Sequence, residues 1–493
     1  MATQNLLSDF VITKELGSGT YGKVYQVTNK KTNMKYAMKT YMEMHEKDGI
    51  KDDILVEIDI LNRVNHPNVA RLVLVGFEDH KLALILPLAS MDLARYIKQN
   101  KPIPKSPSGI SINIMYQMWC GLNYLHTNFI IHQDIKPPNV LLEFNSEGKP
   151  IPKIADYGLS CIFANKPIEY DPRNKKVTLW WRPPELLAYD VANKKGEYNE
   201  KIDIWAMGLV CFELLTNDIP VAGDTEELVL YYIARKFGPL TYEQEEDLVT
   251  GVLESEHLND IQKQKITADL DQLEGKRHPN FRGLPQTQIN FLSYVMETDP
   301  DARPSAKDIL KQPIFKRMKC SVTNIEYAPV DVKYSEVYTQ PVRTRTLEWL
   351  KALKNYHDLN DNVYLLTIDL LDRFASLSTV LTKDNLQMIA WVCLNMAAKT
   401  YFEDADMFDV SADAYGYGQN KKQFTKIIID TEELILNTLN FKIFRPDINL
   451  LFPDRPIDDV LECYENSLVP SEIKMCVEPE KTIFELMDDM GIS

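Results

Sequence analysis

The chain has 493 residues, which is too long for one ordinary domain and predicts two or three. Hydrophobic residues make up 45% and charged residues 26% of the sequence, a globular composition that excludes a wholly disordered chain. Acidic residues outnumber lysine and arginine by 71 to 55, and the net charge of −16 argues against a general nucleic-acid or anionic-membrane binder.

The first 90 residues have the pattern of strands with a single helix. Segments 10–16 and 23–28 flank a glycine-rich turn, 35–40 follows a second turn, and 82–86 is a short apolar run. Residues 52–64 switch to helical spacing, with apolar residues on one stripe. We therefore predict a β-rich lobe over residues 9–90.

The glycine-rich turn, Gly17-Ser18-Gly19-Thr20-Tyr21-Gly22, fits the pattern GxGxxG. A dinucleotide-binding fold requires a helix directly after the glycines, whereas here the strand pattern continues, so the glycines cap a hairpin. Because glycine lets the main chain approach a polyanion closely, the turn is a candidate phosphate-binding loop. An ordinary glycine-rich hairpin is the alternative.

Two charged residues favour the phosphate-binding interpretation. Lys39 lies on the strand after the hairpin, and Glu57 lies on the inner side of the helix over 52–64. A lysine held by a carboxylate can present its ammonium group to nucleotide oxygens. Taken singly, Lys39 and Glu57 would be a surface pair worth less than about 1 kcal/mol, but together with the loop they indicate a nucleotide site.

Helical patterns dominate from about residue 91 to 316, with short strands near 140 and 153, and this region carries three further motifs. They are His132-Gln133-Asp134-Ile135-Lys136-Pro137-Pro138-Asn139, Asp156-Tyr157-Gly158 and Arg182-Pro183-Pro184-Glu185. Phosphoryl transfer needs a carboxylate for the attacking hydroxyl, oxygen ligands for Mg²⁺ and cations facing the phosphates. Asp134, the pair Asn139 and Asp156, and the pair Lys39 and Lys136 offer these groups in that order. A nucleotide and Mg²⁺ are therefore the predicted ligands, and the resemblance described next implies that the nucleotide is ATP.

In this order and spacing the motifs resemble a eukaryotic-type protein kinase over residues 9–316, with an N-lobe over about 9–90 and a C-lobe over about 91–316. The resemblance implies a hinge at Pro87-Leu88-Ala89 with Leu86 as gatekeeper, and a buried pair between Arg303 and Glu185. The ATP-binding residues it implies are Leu16, Gly17, Ser18, Gly19, Thr20, Tyr21, Gly22, Val24, Ala37, Lys39, Glu57, Leu86, Pro87, Ala89 and Leu141.

The segment Val177-Thr178-Leu179-Trp180-Trp181-Arg182 resembles the cyclin-dependent kinases. That resemblance implies that Val177 and Arg182 shape a pocket for a proline after the phosphorylated residue, and that Thr178 braces Asp134 and Lys136. It also makes Thr20 and Tyr21 candidate sites of inhibitory phosphorylation; the alternative is that both only pack the loop.

Two departures from that family concern activation. The helix that usually contacts a cyclin reads Lys51-Asp52-Asp53-Ile54-Leu55-Val56-Glu57, which keeps the glutamate but changes the docking surface. Gln133 replaces the arginine that usually receives the activation-loop phosphate, and residues 161–177 contain no serine or threonine. We therefore predict that activation-loop phosphorylation does not switch this kinase on.

Residues 342–452 return to helical patterns, and four segments resemble a cyclin box. They are 342–350, Leu371-Asp372-Arg373-Phe374, Ala397-Ala398-Lys399 and 431–441. An amphipathic bundle is the alternative for any one of them. The resemblance implies an ion pair between Arg343 and Asp372, and places Lys399 and Glu432 at a kinase-facing surface. Single-chain fusions of this kind resemble those of large DNA viruses more than cellular genes.

The predicted fold class is α+β: a bilobal protein-kinase fold over 1–316, a linker over 317–341, an all-α cyclin-like domain over 342–452 and an acidic tail over 453–493. The predicted function is a serine/threonine kinase for protein substrates with Ser/Thr-Pro sites, activated in cis by its own cyclin-like domain. The alternatives are a non-catalytic scaffold and a cyclin-like domain that recruits another kinase or a substrate in trans.

Cysteine usage and the apolar segments bear on the compartment. Seven cysteines are dispersed without a CxxC pair, which predicts reduced thiols and neither a disulfide framework nor a zinc site. The first residues lack the pattern of a signal peptide, and the most apolar stretch, 205–215, is short and contains Glu213. We expect a soluble, intracellular monomer, nuclear or cytoplasmic (in a host cell if viral), with no nucleic-acid or membrane partner.

Overall fold

The computed structural model describes residues 6–19, 22–41, 45–46, 49–78, 81–100, 109–163, 167–173, 175, 177–273, 281, 283–316, 318, 332–401 and 420–443. The chain forms two compact units. One unit contains residues 1–63, 71–88 and 324–493, and the other contains residues 64–70 and 89–323. The N-terminal sheet and the C-terminal helices therefore belong to the same unit.

The N-terminal region is an antiparallel sheet with one helix, as the sequence predicts. Its elements are β1 (Phe10–Gly19), β2 (Gly22–Asn29), β3 (Lys35–Tyr41), β4 (His45–Glu46), β5 (Gly49–Ile50), α1 (Asp52–Arg63), β6 (Leu74–Glu78) and β7 (Lys81–Pro87). The main sheet has the order β1-β2-β3-β7-β6. Val27, Ala83 and Ile85 form its buried centre, with Phe10 and Tyr36 packed against it. Successive side chains along each strand point to opposite faces of the sheet.

The second unit is mainly helical. Its strands are β8 (Met91–Asp92), β9 (Ile130–Ile131), β10 (Val140–Phe144), β11 (Pro150–Ile154), β12 (Cys161–Ile162), β13 (Ile168–Tyr170) and β14 (Gly196–Tyr198). Its helices are α2 (Leu93–Gln99), α3 (Ile110–Thr127), α4 (Pro184–Val191), α5 (Lys201–Thr216), α6 (Glu226–Phe237), α7 (Tyr242–Glu254), α8 (Asp260–Leu273), α9 (Gln286–Val295) and α10 (Ala306–Leu310). Helix α5 is apolar on nearly all sides because it lies in the core, where Trp205 is fully buried.

The predicted pair between Arg303 and Glu185 is confirmed. Arg303 donates from Nη1 to Glu185 Oε1 at 2.8 Å and from Nη2 to Oε2 at 2.9 Å. Both side chains are almost completely buried, and Arg303 also donates from Nε to the backbone carbonyl of Glu297 at 2.8 Å. This bidentate pair joins the start of α4 to the segment before α10, and so closes the second unit across 118 residues of chain.

The C-terminal helices are α11 (Gln340–Tyr356), α12 (Asp361–Leu377), α13 (Leu386–Thr400) and α14 (Lys421–Thr438). Helices α12 and α13 pack together, and the side chains of Phe374 on α12 and Trp391 on α13 are buried. The predicted pair between Arg343 and Asp372 is confirmed, with Nε to Oδ1 at 2.8 Å and Nη2 to Oδ2 at 2.7 Å. Among the helices that the structure describes, none combines the length and the apolar character needed to cross a membrane.

Candidate active site

The glycine-rich loop lies at the tip of the hairpin formed by β1 and β2, with Gly17 opposite Val24 and Gly19 opposite Gly22. A Cβ atom at Gly22 would lie 1.9 Å from the carbonyl oxygen of Thr40, so the pairing of β2 with β3 requires glycine there. A Cβ atom at Gly17 would meet nothing within 4 Å in the described part of the chain. Packing therefore accounts for Gly22 but not for Gly17. Thr20 and Tyr21 lie outside the described residues.

Strand register brings several of the proposed nucleotide-binding residues together on the sheet. Val24 pairs with Lys39, Ala37 pairs with Leu86, and Pro87 follows at the end of β7. Ala37 and Lys39 are two residues apart on one strand and therefore point to the same face. Of the remaining candidates, Leu16 and Ser18 are exposed on β1, whereas Ala89 and Leu141 belong to the second unit, where Leu141 pairs with Asp92 on β8.

Lys39 and Glu57 form a close ion pair inside the first unit. Lys39 Nζ lies 2.6 Å from Glu57 Oε1 and 2.9 Å from Oε2, and the two side chains are 12% and 3% exposed. The hydroxyl of Tyr41 donates to Glu57 Oε2 at 2.8 Å, and its ring lies 5.5 Å from Lys39 Nζ. Sequence reasoning missed Tyr41, although its place two residues after Lys39 puts it on the same face of β3.

In the second unit, a buried carboxylate fixes the backbone of the loop that carries Asp134. Asp203, on α5, accepts hydrogen bonds from the backbone N–H groups of His132 at 2.7 Å and Gln133 at 2.9 Å. His132 in turn accepts from the Asp134 N–H at Nδ1, 3.2 Å away. Because Asp203 is almost fully buried, these charge-assisted bonds are strong and hold the loop in one conformation.

The carboxylate of Asp134 has three neighbours that orient it. Thr178 Oγ1 donates to Asp134 Oδ1 at 2.8 Å, and Asn139 Nδ2 donates to Oδ2 at 2.8 Å. Lys136 Nζ lies 2.7 Å from the same Oδ2 and donates to Thr178 Oγ1 at 3.0 Å. A fixed carboxylate beside a cation is the arrangement that can accept a proton from a hydroxyl while negative charge develops on a phosphoryl group.

Asn139 and Asp156 are adjacent because the Ala155 N–H donates to the backbone carbonyl of Asn139 at 2.9 Å. The Asp156 side chain is exposed, and its backbone has a φ of 69°, a left-handed conformation that non-glycine residues seldom adopt. The described residues contain no group of three or more acidic, histidine or cysteine side chains that could hold a metal. The pair fits a Mg²⁺ ion that takes one or two protein oxygens and completes its shell with phosphate and water.

Val177 also has a left-handed backbone, with a φ of 63°, which is a strong outlier for a β-branched residue. Its carbonyl oxygen accepts hydrogen bonds from Arg182 Nη2 at 3.0 Å and from Nε at 3.3 Å. The Val177 carbonyl oxygen is therefore already a hydrogen-bond acceptor for the Arg182 guanidinium group. Strain of this kind persists only where the surroundings enforce it, and it is common at functional sites.

Gln133 is buried among side chains that the sequence analysis did not associate with it. Its Nε2 donates to Cys161 Sγ at 2.6 Å, and it also interacts with Tyr198, whose pKa is raised chiefly by burial. Cys161 and Tyr198 lie 28 and 65 residues away in sequence, respectively. Similar kinases carry an arginine where this chain has Gln133. Here Gln133 and its two partners, Cys161 and Tyr198, are all neutral.

Lys399 and Glu432 meet the N-terminal region within the first unit. Glu432 Oε2 accepts a hydrogen bond from the Ile50 N–H at 2.6 Å, and Lys399 Nζ donates to the Ile50 carbonyl at 3.1 Å. The Lys399 ammonium lies 3.3 Å from Glu432 Oε1. Both side chains thus contact the backbone of β5, two residues before α1 begins and seven residues before Glu57.

Comparison with known proteins agrees with this geometry. The protein kinase domain family matches residues 10–315, and the cyclin N-terminal domain family matches residues 314–444. A probable cell division protein kinase of Encephalitozoon cuniculi is 34% identical over 233 residues, which cover 47% of this chain and 81% of the relative. The chain therefore belongs to the protein kinase family, as a serine/threonine kinase of the cyclin-dependent type followed on the same chain by a cyclin domain.

Proposed function

We propose that this kinase is proline-directed, that its own cyclin domain activates it in cis, and that it needs no phosphate on its activation loop. The observation that carries its catalytic part is the arrangement of Thr178, Lys136 and Asn139 around the carboxylate of Asp134, with each contact between 2.7 and 2.8 Å to an oxygen of that carboxylate.

Each residue then has a role that follows from its chemistry. Asp134 accepts the proton of the substrate hydroxyl, and Lys136 offsets charge on the transferred phosphoryl group. Lys39, held by Glu57, binds phosphate oxygens of ATP. Asn139 and Asp156 would hold Mg²⁺, which neutralises negative charge on the phosphates when it is bound.

The occupied carbonyl of Val177 supports the preference for proline. An ordinary residue after the phosphorylated serine or threonine brings a backbone N–H that needs an acceptor when it is buried against the enzyme. Arg182 already takes the Val177 carbonyl, so that N–H would be left without this acceptor. Proline has no backbone N–H, so it leaves no donor unpaired. The enzyme therefore selects proline after the phosphorylated residue mainly by disfavouring the other residues there.

The contacts at Ile50 support activation in cis. Because Lys399 and Glu432 bind the Ile50 carbonyl and N–H, they fix the chain directly before α1, the helix that carries Glu57. Holding α1 in place keeps Glu57 within 2.9 Å of Lys39. A covalent tether also keeps the cyclin domain at an effective concentration of about 1 mM, so no separate activator is needed.

The surroundings of Gln133 support independence from loop phosphorylation. Gln133 is neutral and its amide is bound to Cys161, so this residue offers no cation to attract a phosphate. The non-catalytic scaffold has no observation in its favour, because Lys39, Asp134, Asn139 and Asp156 are all present.

The test is a radiolabelled-ATP assay of the full chain produced in bacteria, with Ser-Pro and Ser-Ala peptides that are otherwise identical. Mass spectrometry first establishes that residues 161–177 carry no phosphate. We expect activity on the Ser-Pro peptide, and a loss of about 10²–10⁴-fold in turnover on Asp134→Asn, the usual range for a positioned proton acceptor. An inactive wild-type chain, or one active only after loop phosphorylation, would contradict the proposal.

A further inference from the structure

Tyr170 is a buried side chain in the segment between Cys161 and Val177. It ends β13, which pairs with β14 so that Tyr170 lies opposite Gly196. The side chain is 1% exposed, and its ring contacts those of Tyr189 and Tyr198, with centroid distances of 6.1 Å in both cases. Burial raises the pKa of its hydroxyl far above the usual value, so the hydroxyl remains a hydrogen-bond donor.

The hydroxyl of Tyr170 donates to Asp190 Oδ1 at 2.8 Å. The other oxygen of Asp190 accepts from Arg182 Nη1 at 2.5 Å, and the side chains of Arg182 and Asp190 are 6% and 0% exposed. A second carboxylate, that of Glu226, lies 3.6 Å from the same Arg182 nitrogen but is more exposed. Asp190 therefore joins Tyr170 on one side to Arg182 on the other, through side chains that are at most 6% exposed.

Arg182 directs two further nitrogens to Val177. With Nη1 on Asp190, the Nε and Nη2 groups point to the Val177 carbonyl, which they reach at 3.3 and 3.0 Å. A guanidinium group is planar and rigid, so the direction of its Nη1 bond fixes the directions of the other two. An unbroken line of hydrogen bonds thus runs from the Tyr170 hydroxyl to the strained carbonyl of Val177.

We propose that Tyr170 is a positioning residue for substrate specificity: through Asp190 it fixes the Arg182 guanidinium, and so keeps the Val177 carbonyl turned away from the residue that follows the phosphorylated serine or threonine. The proposal rests on the proline preference argued above and assigns it a residue that does not touch the substrate. On this proposal Tyr170 is a structural residue of the loop and not a phosphorylation site.

The Val177 carbonyl is the acceptor on which the discrimination depends. When Arg182 is held by Asp190, the Val177 carbonyl stays occupied, and a peptide without proline leaves its N–H unpaired. When the Tyr170 hydroxyl is removed, Asp190 loses one of its two bonds, and the guanidinium gains freedom to turn. The carbonyl is then free part of the time to accept the N–H of a Ser-Ala peptide. The discrimination arises because the Ser-Ala peptide leaves its N–H unpaired. Once that N–H finds an acceptor, the enzyme should discriminate less between the two peptides.

The test uses the full-length chain and measures kcat/KM on the Ser-Pro and Ser-Ala peptides for wild type and Tyr170→Phe. We expect the Ser-Pro to Ser-Ala ratio to fall about fivefold or more, the scale of one weakened hydrogen bond to a charged group, with an unchanged KM for ATP. Tyr189→Phe is the matched control, because Tyr189 belongs to the same ring cluster but its hydroxyl donates to the Glu197 carbonyl at 3.4 Å. Its ratio should equal that of wild type.

Destabilisation alone would lower the rates on both peptides together and leave the ratio unchanged, so the ratio separates positioning from a merely structural role. Asp190→Asn breaks the same line of bonds at its centre and should lower the ratio in the same way; it decides the question if Tyr170→Phe does not fold. A ratio within about twofold of wild type in the folded variants would overturn the proposal. If wild type itself shows no preference for Ser-Pro, the proposed proline direction fails first.

Discussion

Replacing Glu432 by glutamine is the most direct test of whether the cyclin domain controls the kinase domain. Glutamine has nearly the same shape and can still accept the Ile50 N–H, but it removes the negative charge 3.3 Å from the Lys399 ammonium. Glu432 is completely buried and Lys399 is 5% exposed, so water screens this charge poorly. The variant therefore alters the electrostatics of the contact and leaves most of its packing intact.

The expected magnitude follows from that burial. Removing one partner of a buried ion pair costs about 3–5 kcal/mol, and because the hydrogen bond to Ile50 persists we take the lower end, about 3 kcal/mol. Since every 1.4 kcal/mol is a factor of about ten, the ratio of engaged to released cyclin domain should fall about 100-fold. Tethering restores part of the contact, so activity should fall by about 10–100-fold.

The assay is the initial rate of phosphorylation of a Ser-Pro peptide by the full chain at saturating ATP, with the thermal unfolding midpoint as a check on folding. Asp430→Asn is the matched control, because it removes one negative charge from an exposed position on the same helix, α14, and should leave the rate unchanged. Lys399→Met should lower the phosphorylation rate by a smaller factor in the Glu432→Gln background than in the wild-type chain, because the two residues act as a pair. A folded Glu432→Gln variant with the wild-type rate would refute the reasoning.

Two further predictions concern single contacts within each unit. Tyr41→Phe removes the donor to Glu57 and should raise the KM for ATP about fivefold, corresponding to about 1 kcal/mol for one hydrogen bond, and steady-state kinetics measures it; an unchanged KM would mean that Lys39 alone holds Glu57. Glu185→Gln leaves the buried guanidinium of Arg303 without its counter-charge and should lower the free energy of unfolding by about 3–5 kcal/mol, measured by urea denaturation; a loss below 1 kcal/mol would contradict the account of this pair.

The sequence predicts much of the N-terminal sheet because local signals determine it. The hairpin around Gly17 and Gly22 and the helix over 52–64 follow from glycine placement and apolar spacing, which act over a few residues. The structure extends β1 to Gly19 and begins α11 at Gln340, two residues before the predicted start of the cyclin-like domain. Boundaries of this kind depend on end effects such as the backbone pairing of Gly19 with Gly22, which residue type alone does not encode.

The candidate site was predictable where a motif keeps its members close in the chain. Asp134, Lys136 and Asn139 lie within six residues, and their chemistry identifies them without any structure. Tyr170 and Asp190 are 20 residues apart, and their association depends on the pairing of β13 with β14 and on the burial of both groups. Tyrosine and aspartate are common types with no distinctive spacing here, so no sequence pattern could have connected them to Val177.

Gly49 has a role that no local sequence pattern indicates. It precedes Ile50 on β5 with a φ of 118°, a conformation that side chains strongly disfavour. A Cβ atom there would lie 2.2 Å from Glu432 Oε2 and 2.5 Å from Glu432 Cδ, well inside van der Waals contact. The requirement for glycine at position 49 therefore comes from Glu432, which lies 383 positions later in the chain.

Gly49→Ala should consequently act on the same contact as Glu432→Gln, but from the kinase side. Backbone strain of about 1–3 kcal/mol adds to the displacement of the Glu432 carboxylate from the Ile50 N–H, so we expect a loss of activity at least as large as that of Glu432→Gln. Combining Gly49→Ala with Glu432→Ala tests the cause, since the shorter side chain leaves room for the new methyl group. If the clash is responsible, Gly49→Ala should cost clearly less activity in the Glu432→Ala background than alone; equal costs in both backgrounds would assign the effect to backbone strain within β5.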